Sequence, residues 1–149
     1  MNTAVDLSSI AQAYETALNN DVVTSKYIVV RSETVNGDPS LAMEGWAGIY
    51  RSACRYDPRT LGKGGGNFRA SITLYIVAQV TSLQTGADAE ERLEEVIGNL
   101  LRVFFNDLSI RSTVEMIEEL NVTYSYNRTS EKTAYFQEAL IEVKCIAHS

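Results

Sequence analysis

The fifteen residues from Arg69 to Leu83 read RASITLYIVAQVTSL. Isoleucine, valine, threonine and tyrosine dominate the run, and both faces of its centre are apolar. A strand of this kind needs cover on both sides, which an edge position does not give. The run is therefore predicted to be the central strand of a sheet, and the remaining elements are read as what surrounds it.

Directly downstream, Gly86 and Asp88 stop the strand and open a helix. Asp88 is the expected cap and Glu91 takes the third helical position. Glu90, Glu91, Glu94 and Glu95 favour the positive end of the helix. Leu93, Val96, Ile97, Leu100, Leu101 and Phe104 follow at three- and four-residue spacing, enough for about five turns packed on a sheet. Near the start of the chain, Ile10, Ala13, Tyr14, Ala17 and Leu18 give a second amphipathic helix over residues 6–20, capped at Asp6.

The other segments read as strands. Lys26 to Glu33 (KYIVVRSE) is β-branched and bounded by the turn signal Asn36-Gly37-Asp38-Pro39, and Trp46 to Arg51 is a further short strand. Arg55 to Asn67, centred on Gly62-Lys63-Gly64-Gly65-Gly66, reads as a flexible basic loop. Thr113 to Asn127 is a long strand in which Glu118-Glu119 interrupts the alternation, as a bulge would. Tyr135 to Ala147 places Ala139, Ile141, Val143 and Cys145 on one face, and these last two strands form an antiparallel hairpin. The order α, β, β, β, α, β, β predicts an α+β fold: a mostly antiparallel sheet packed by two main helices, in a single domain of 149 residues.

Composition narrows the function. Apolar residues make up 45% and charged residues 21%, a globular mixture. No apolar run approaches the roughly 20 residues that span a bilayer, and the opening MNTAVDLSS has neither a basic nor an apolar signal region, so no membrane partner is expected. Cys54 and Cys145 lie far apart and His148 is the single histidine, too few for a zinc site, a Cys/His pair or a Ser-His-Asp triad. LGKGGGNF fails as a phosphate loop, because Lys63 follows Gly62 too early and a strand, not a helix, comes next. Adjacent glutamates on a helix or strand point apart, so they do not form a general acid/base pair. Asn121-Val122-Thr123 and Asn127-Arg128-Thr129 match the glycosylation pattern only by chance in a chain without a signal peptide. No cofactor, no metal and no enzymatic activity are expected.

Charge distribution is more informative than its sum. Arg51, Arg55, Arg59, Lys63 and Arg69 face the single acid Asp57, a local +4 that leaves the other 130 residues at −10 within a total of −6. Such polarity suits head-to-tail association of identical subunits. Trp46, Tyr124 and Tyr126 are candidate interface aromatics; Trp46 reads more readily as a core or loop-anchoring side chain, and a half-exposed sheet face explains Tyr124 and Tyr126 equally well. Two classes stay open: an assembly protein, and a small α+β enzyme or ligand-binding domain. A stable ring would mark the first, and a concave pocket with a strongly shifted pKa the second.

The ordered segments GWAGIYR (Gly45 to Arg51), the basic glycine-rich loop, RASITLYIVAQV, GADAEERLEEVIGNLL, STVEMIEELNVTYSY and TAYFQEALIEVKC cover most of the chain. Their layout resembles the tail terminator, or tail completion, proteins of long-tailed bacteriophages, the lambda-like minor tail protein U group. The resemblance implies an α+β sheet packed by helices and a homohexameric ring. That ring caps the head-proximal end of the tail tube, halts its polymerisation and offers a surface for head–tail joining. The implied partners are further copies of the chain, the tail tube protein and the neck or connector proteins. The implied location is the virion tail, after assembly in the host cytoplasm. A neck or head–tail connector protein of the same particle is the neighbouring alternative. In such a ring, Arg51, Arg55, Arg59, Lys63 and Arg69 would contact acidic surface of an adjacent protein or line the channel through which genomic DNA passes. Nine arginines against four lysines favour the protein contact, since the guanidinium fork pairs with carboxylates in bidentate fashion.

Overall fold

The computed structural model describes residues 7–31, 45–56, 69–107, 116–125 and 135–148. The elements follow the expected order: α1 (Leu7–Asn20), a 3₁₀ turn (Thr24–Lys26), β1 (Ile28–Arg31), β2 (Trp46–Tyr56), β3 (Arg69–Ser82), α2 (Gly86–Asn106), β4 (Met116–Ser125) and β5 (Tyr135–His148). The five strands form one sheet in the order β1-β2-β3-β5-β4, with β3 at its centre. All neighbours are antiparallel except β1 and β2. The fold is thus the α+β arrangement that the sequence predicts.

β3 and β5 pair along their whole length, from Arg69↔His148 to Ser82↔Tyr135. Alternation then sends Ala70, Ile72, Leu74, Ile76, Ala78 and Val80 to the face that carries both helices, each at most 1% exposed. Ala139, Ile141, Val143 and Cys145 of β5 join them, as their spacing foretells. From above, α2 contributes Leu93, Val96, Ile97, Leu100, Val103 and Phe104, and α1 contributes Ile10, Ala11, Tyr14, Ala17 and Leu18. Ala11 takes the buried place expected for Ala13, which is half-buried. Each aliphatic side chain buried in this way contributes about 1.5–3 kcal/mol relative to exposure. The Tyr14 ring meets Phe104 edge-on at 4.9 Å, and its hydroxyl lies 3.3 Å from Cys145 Sγ. Burial pushes the Tyr14 hydroxyl and the Cys145 thiol well up from their usual ranges, so both stay neutral.

The second face of the sheet also has an apolar centre, in keeping with the two-sided pattern of β3. Trp46 and Val77 are buried there with Val30, Tyr50 and Leu140 packed around them, and no described helix lies on this face. Gly48 makes the arrangement fit. A Cβ at this position would sit 2.6 Å from Trp46 Cη2 and 2.7 Å from the Tyr50 ring. At the mouth of β2, Gly45 has φ +140° and leaves room for the Tyr27 ring, whose hydroxyl accepts a hydrogen bond from Asn99 of α2 at 2.9 Å.

Local polar contacts set the element ends. The cap of α2 is Thr85, not Asp88: Thr85 Oγ1 accepts from the Asp88 N–H at 3.0 Å, while the Asp88 carboxylate takes the Ser82 hydroxyl. Thr85 stands three residues before the N–H that it takes, where the helix begins, and the strand end supplies the Asp88 carboxylate with the Ser82 hydroxyl as donor. Between α1 and β1, Asp21 Oδ2 accepts from the Val23 and Thr24 N–H groups at 3.0 Å each, and the Thr24 hydroxyl donates to Leu18 O at 2.6 Å. Arg102 of α2 grips the same carboxylate at 2.7 and 3.0 Å, tying the two helices together.

Two strands differ in extent from their expected bounds. β1 begins later than expected, at Ile28, because the 3₁₀ turn takes Thr24–Lys26; Ser32 and Glu33 of the expected strand lie outside the described residues. β2 is longer: it runs through Arg55 to Tyr56, with a bulge between Arg51 and Ala53 that breaks the alternation and so hides the strand's second half in the sequence. The bulge expected near Glu118 in β4 is present, between Ile117 and Glu119. The Asp6 cap, the Asn36 to Pro39 turn and the glycine-rich centre at Gly62 to Gly66 lie outside the described residues.

Candidate functional site

The five cations read as one loop are distributed differently in the structure. Arg51 and Arg55 stand on β2 and Arg69 opens β3, while Arg59 and Lys63 lie outside the described residues. Arg51 is two residues past the buried Ile49 and opposite Leu74, so it faces the helix-bearing side of the sheet. Arg55, opposite Ser71, faces the other side, where the half-buried Arg69 is its diagonal neighbour. β1 pairs only with Trp46 to Ile49, so no described strand covers the outer side of β2 from Tyr50 onward. Arg51 and Arg55 are exposed on that free edge, one toward each face, and neither has a hydrogen bond or ion pair among the described residues.

The aromatic candidates part in the same way. Trp46 is only 6% exposed and acts as a packing side chain on the second face. Tyr124 is 52% exposed near the end of β4, opposite Ala139. Tyr126 lies outside the described residues.

Around Tyr124 the structure forms a cleft that the sequence does not announce. The first turns of α2 and the ends of β4 and β5 enclose about 490 Å³ lined by Glu90, Leu93, Glu94, Tyr124, Ser125 and Gln137. Glu90 and Glu94 are four residues apart and share a helix face, a spacing visible in the sequence. That β4 would lie beside that face depends on β5 being inserted between β3 and β4, which no local pattern encodes. Partial desolvation, then the hydrogen bond and charge of Glu94, push the Tyr124 phenol up from its usual range. With carboxylates on one wall, Leu93 below and an aromatic ring on the other wall, the cleft suits a guanidinium group: the fork takes carboxylate oxygens while its plane lies on the ring.

Several other charges have partners within the chain. Arg102 holds Asp21, Lys144 stands 3.4 Å from both Glu119 and Glu142, and Arg31 and Arg92 donate to the Ser8 and Thr81 carbonyls. Among the described residues no three of His, Cys, Asp and Glu gather as metal ligands, and no described helix is long and apolar enough to cross a membrane. No protein-family model matches the chain, and no curated protein matches its sequence.

Proposed function

We propose that this protein is a structural component of a virion, a tail terminator. Copies of it form a closed ring at the head-proximal end of the tail tube, stop tube growth and present a joining surface to the head. The observation that carries the reading is the separation of unmatched charge within one small domain. Cations stand on the free edge of β2 and carboxylates line the cleft beside β4, on the far side of the sheet. Two different, complementary patches on one chain favour heterologous association, which closes into rings when the rotation allows. The α+β sheet with helices on one face is also the fold that the resemblance implies.

The test is mass by light scattering at low salt and about 100 μM, where contacts of micromolar affinity are largely occupied. It is followed by polymerisation of the tail tube protein with and without this protein. Six-fold mass and tubes of arrested length are expected. A protein that stays monomeric, both alone and with tubes, and leaves tube growth unchanged would rule the reading out.

A further inference from the structure

We infer that the β2 edge of one copy docks on the cleft between α2 and β4 of the next copy. Arg51, which faces the helix-bearing side, lies against Glu90 and Glu94 beside the Tyr124 ring, and Arg55, which faces the other side, lies at the rim of the same contact. The inference rests on the ring reading and specifies its interface.

The geometry excludes the same contact within one molecule. β3 and β5 separate β2 from β4, three inter-strand spacings or about 14 Å. The pairing also places Tyr124 level with Ala139, Ala78 and Ala47, whereas Arg51 is level with Leu74, Val143 and Leu120. The four residue steps from Ala47 to Arg51 add about 13 Å along the strands. Arg51 and Arg55 cannot reach across both offsets, so they can enter this cleft only from another copy. The chemistry selects which occupant. The cleft asks for a planar cation, and the free β2 edge offers two exposed guanidinium groups with no partner among the described residues. Because no described strand covers that edge beyond Ile49, it can approach a second copy without the helices intervening. Donor and acceptor lie at opposite sheet edges, so one contact leaves both patches of the pair's outer ends open for the next copy, the condition for a ring rather than a closed dimer.

Charge reversal tests the docking separately from the ring. One variant carries Arg51→Glu and Arg55→Glu, a second carries Glu90→Arg and Glu94→Arg, and circular dichroism checks that each is folded. Since reversed glutamates lie in the first turns of a helix, Glu90→Gln with Glu94→Gln replaces the second variant if that fails to fold, and it is then read by its own loss of association rather than in the mixture. Wild type is expected to assemble in about 50 mM salt and to weaken at least about tenfold in about 500 mM, where charges are screened within a few ångströms. Each reversed variant alone is expected to lose about 100-fold or more in association. An equimolar mixture of the two recovers the oligomer, because reversed edge then meets reversed cleft and native edge meets native cleft. Wild-type rings whose assembly is unaffected by either reversal, or a mixture that fails to recover, overturn the docking and leave the ring standing. A wild type that is monomeric under all these conditions overturns both.

Discussion

Gly48 fixes how the second face of the sheet is packed. Its missing Cβ is the space in which the Trp46 and Tyr50 rings meet, at distances of 2.6 and 2.7 Å that no real side chain tolerates. Gly48→Ala therefore forces one ring away, and Trp46, held between Gly48 and Val77, is the one with an observable of its own, being the only tryptophan. We expect its fluorescence to shift to the red and urea unfolding to show a loss of about 1–3 kcal/mol, the usual cost of overpacking. Unchanged emission and an unchanged midpoint would mean that the rings do not meet over Gly48. The same residues show why Trp46 is hard to place from sequence. Its neighbours Gly45 and Gly48 carry no signal of which ring each one makes room for until the sheet register is known.

At the scale of elements, the start of α2 is held by a threonine outside the helix. Thr85→Ala removes the acceptor of the Asp88 N–H and is expected to cost about 1 kcal/mol in chemical unfolding, whereas Asp88→Asn keeps that N–H and loses only the contact with Ser82. A larger effect at Asp88 than at Thr85 would restore the aspartate as the cap. The long elements are legible in the sequence because their periodicity is clean: two-sided apolar β3, one-sided β5 and the three-four spacing of α2 all take their expected places. Where regularity fails, so does legibility. The bulge after Arg51 shifts the alternation of β2, and the three described members of the basic set, Arg51, Arg55 and Arg69, divide between two strands and two faces. The α2–β4 cleft joins residues more than thirty positions apart, Glu90 and Tyr124, and depends on strand order rather than on any local signal.

Across the whole molecule, the two helices are tied by Asp21 and Arg102, and this tie makes stability depend on pH. The Arg102 hydrogen bonds, then the Thr24 and Val23 N–H groups, hold the Asp21 carboxyl well below the usual carboxylate range despite some opposing desolvation. A folded-state pKa below the unfolded value means that the unfolded chain binds the proton more readily. The stabilisation is therefore complete above the unfolded value of about 4 and is lost as pH falls through and below it. Asp21→Asn is expected to lower the unfolding midpoint at pH 7, and the gap to wild type narrows as pH falls from about 4 to about 3 without closing, because the folded-state value lies lower still. A difference between the two that stays constant down to that pH would remove Asp21 from the account. Strand order has another consequence, for the path by which the chain reaches this state. β2 with β3, and β4 with β5, are hairpins of neighbours in sequence, but the seam that unites them joins Ser82 to Tyr135 and Arg69 to His148, separations of 53 and 79 residues. Closing such long loops costs chain entropy before any contact repays it, so topology puts the slow step of folding at the middle of the sheet. Until β3 and β5 meet there, the most apolar strand of the chain lacks one of its two neighbours.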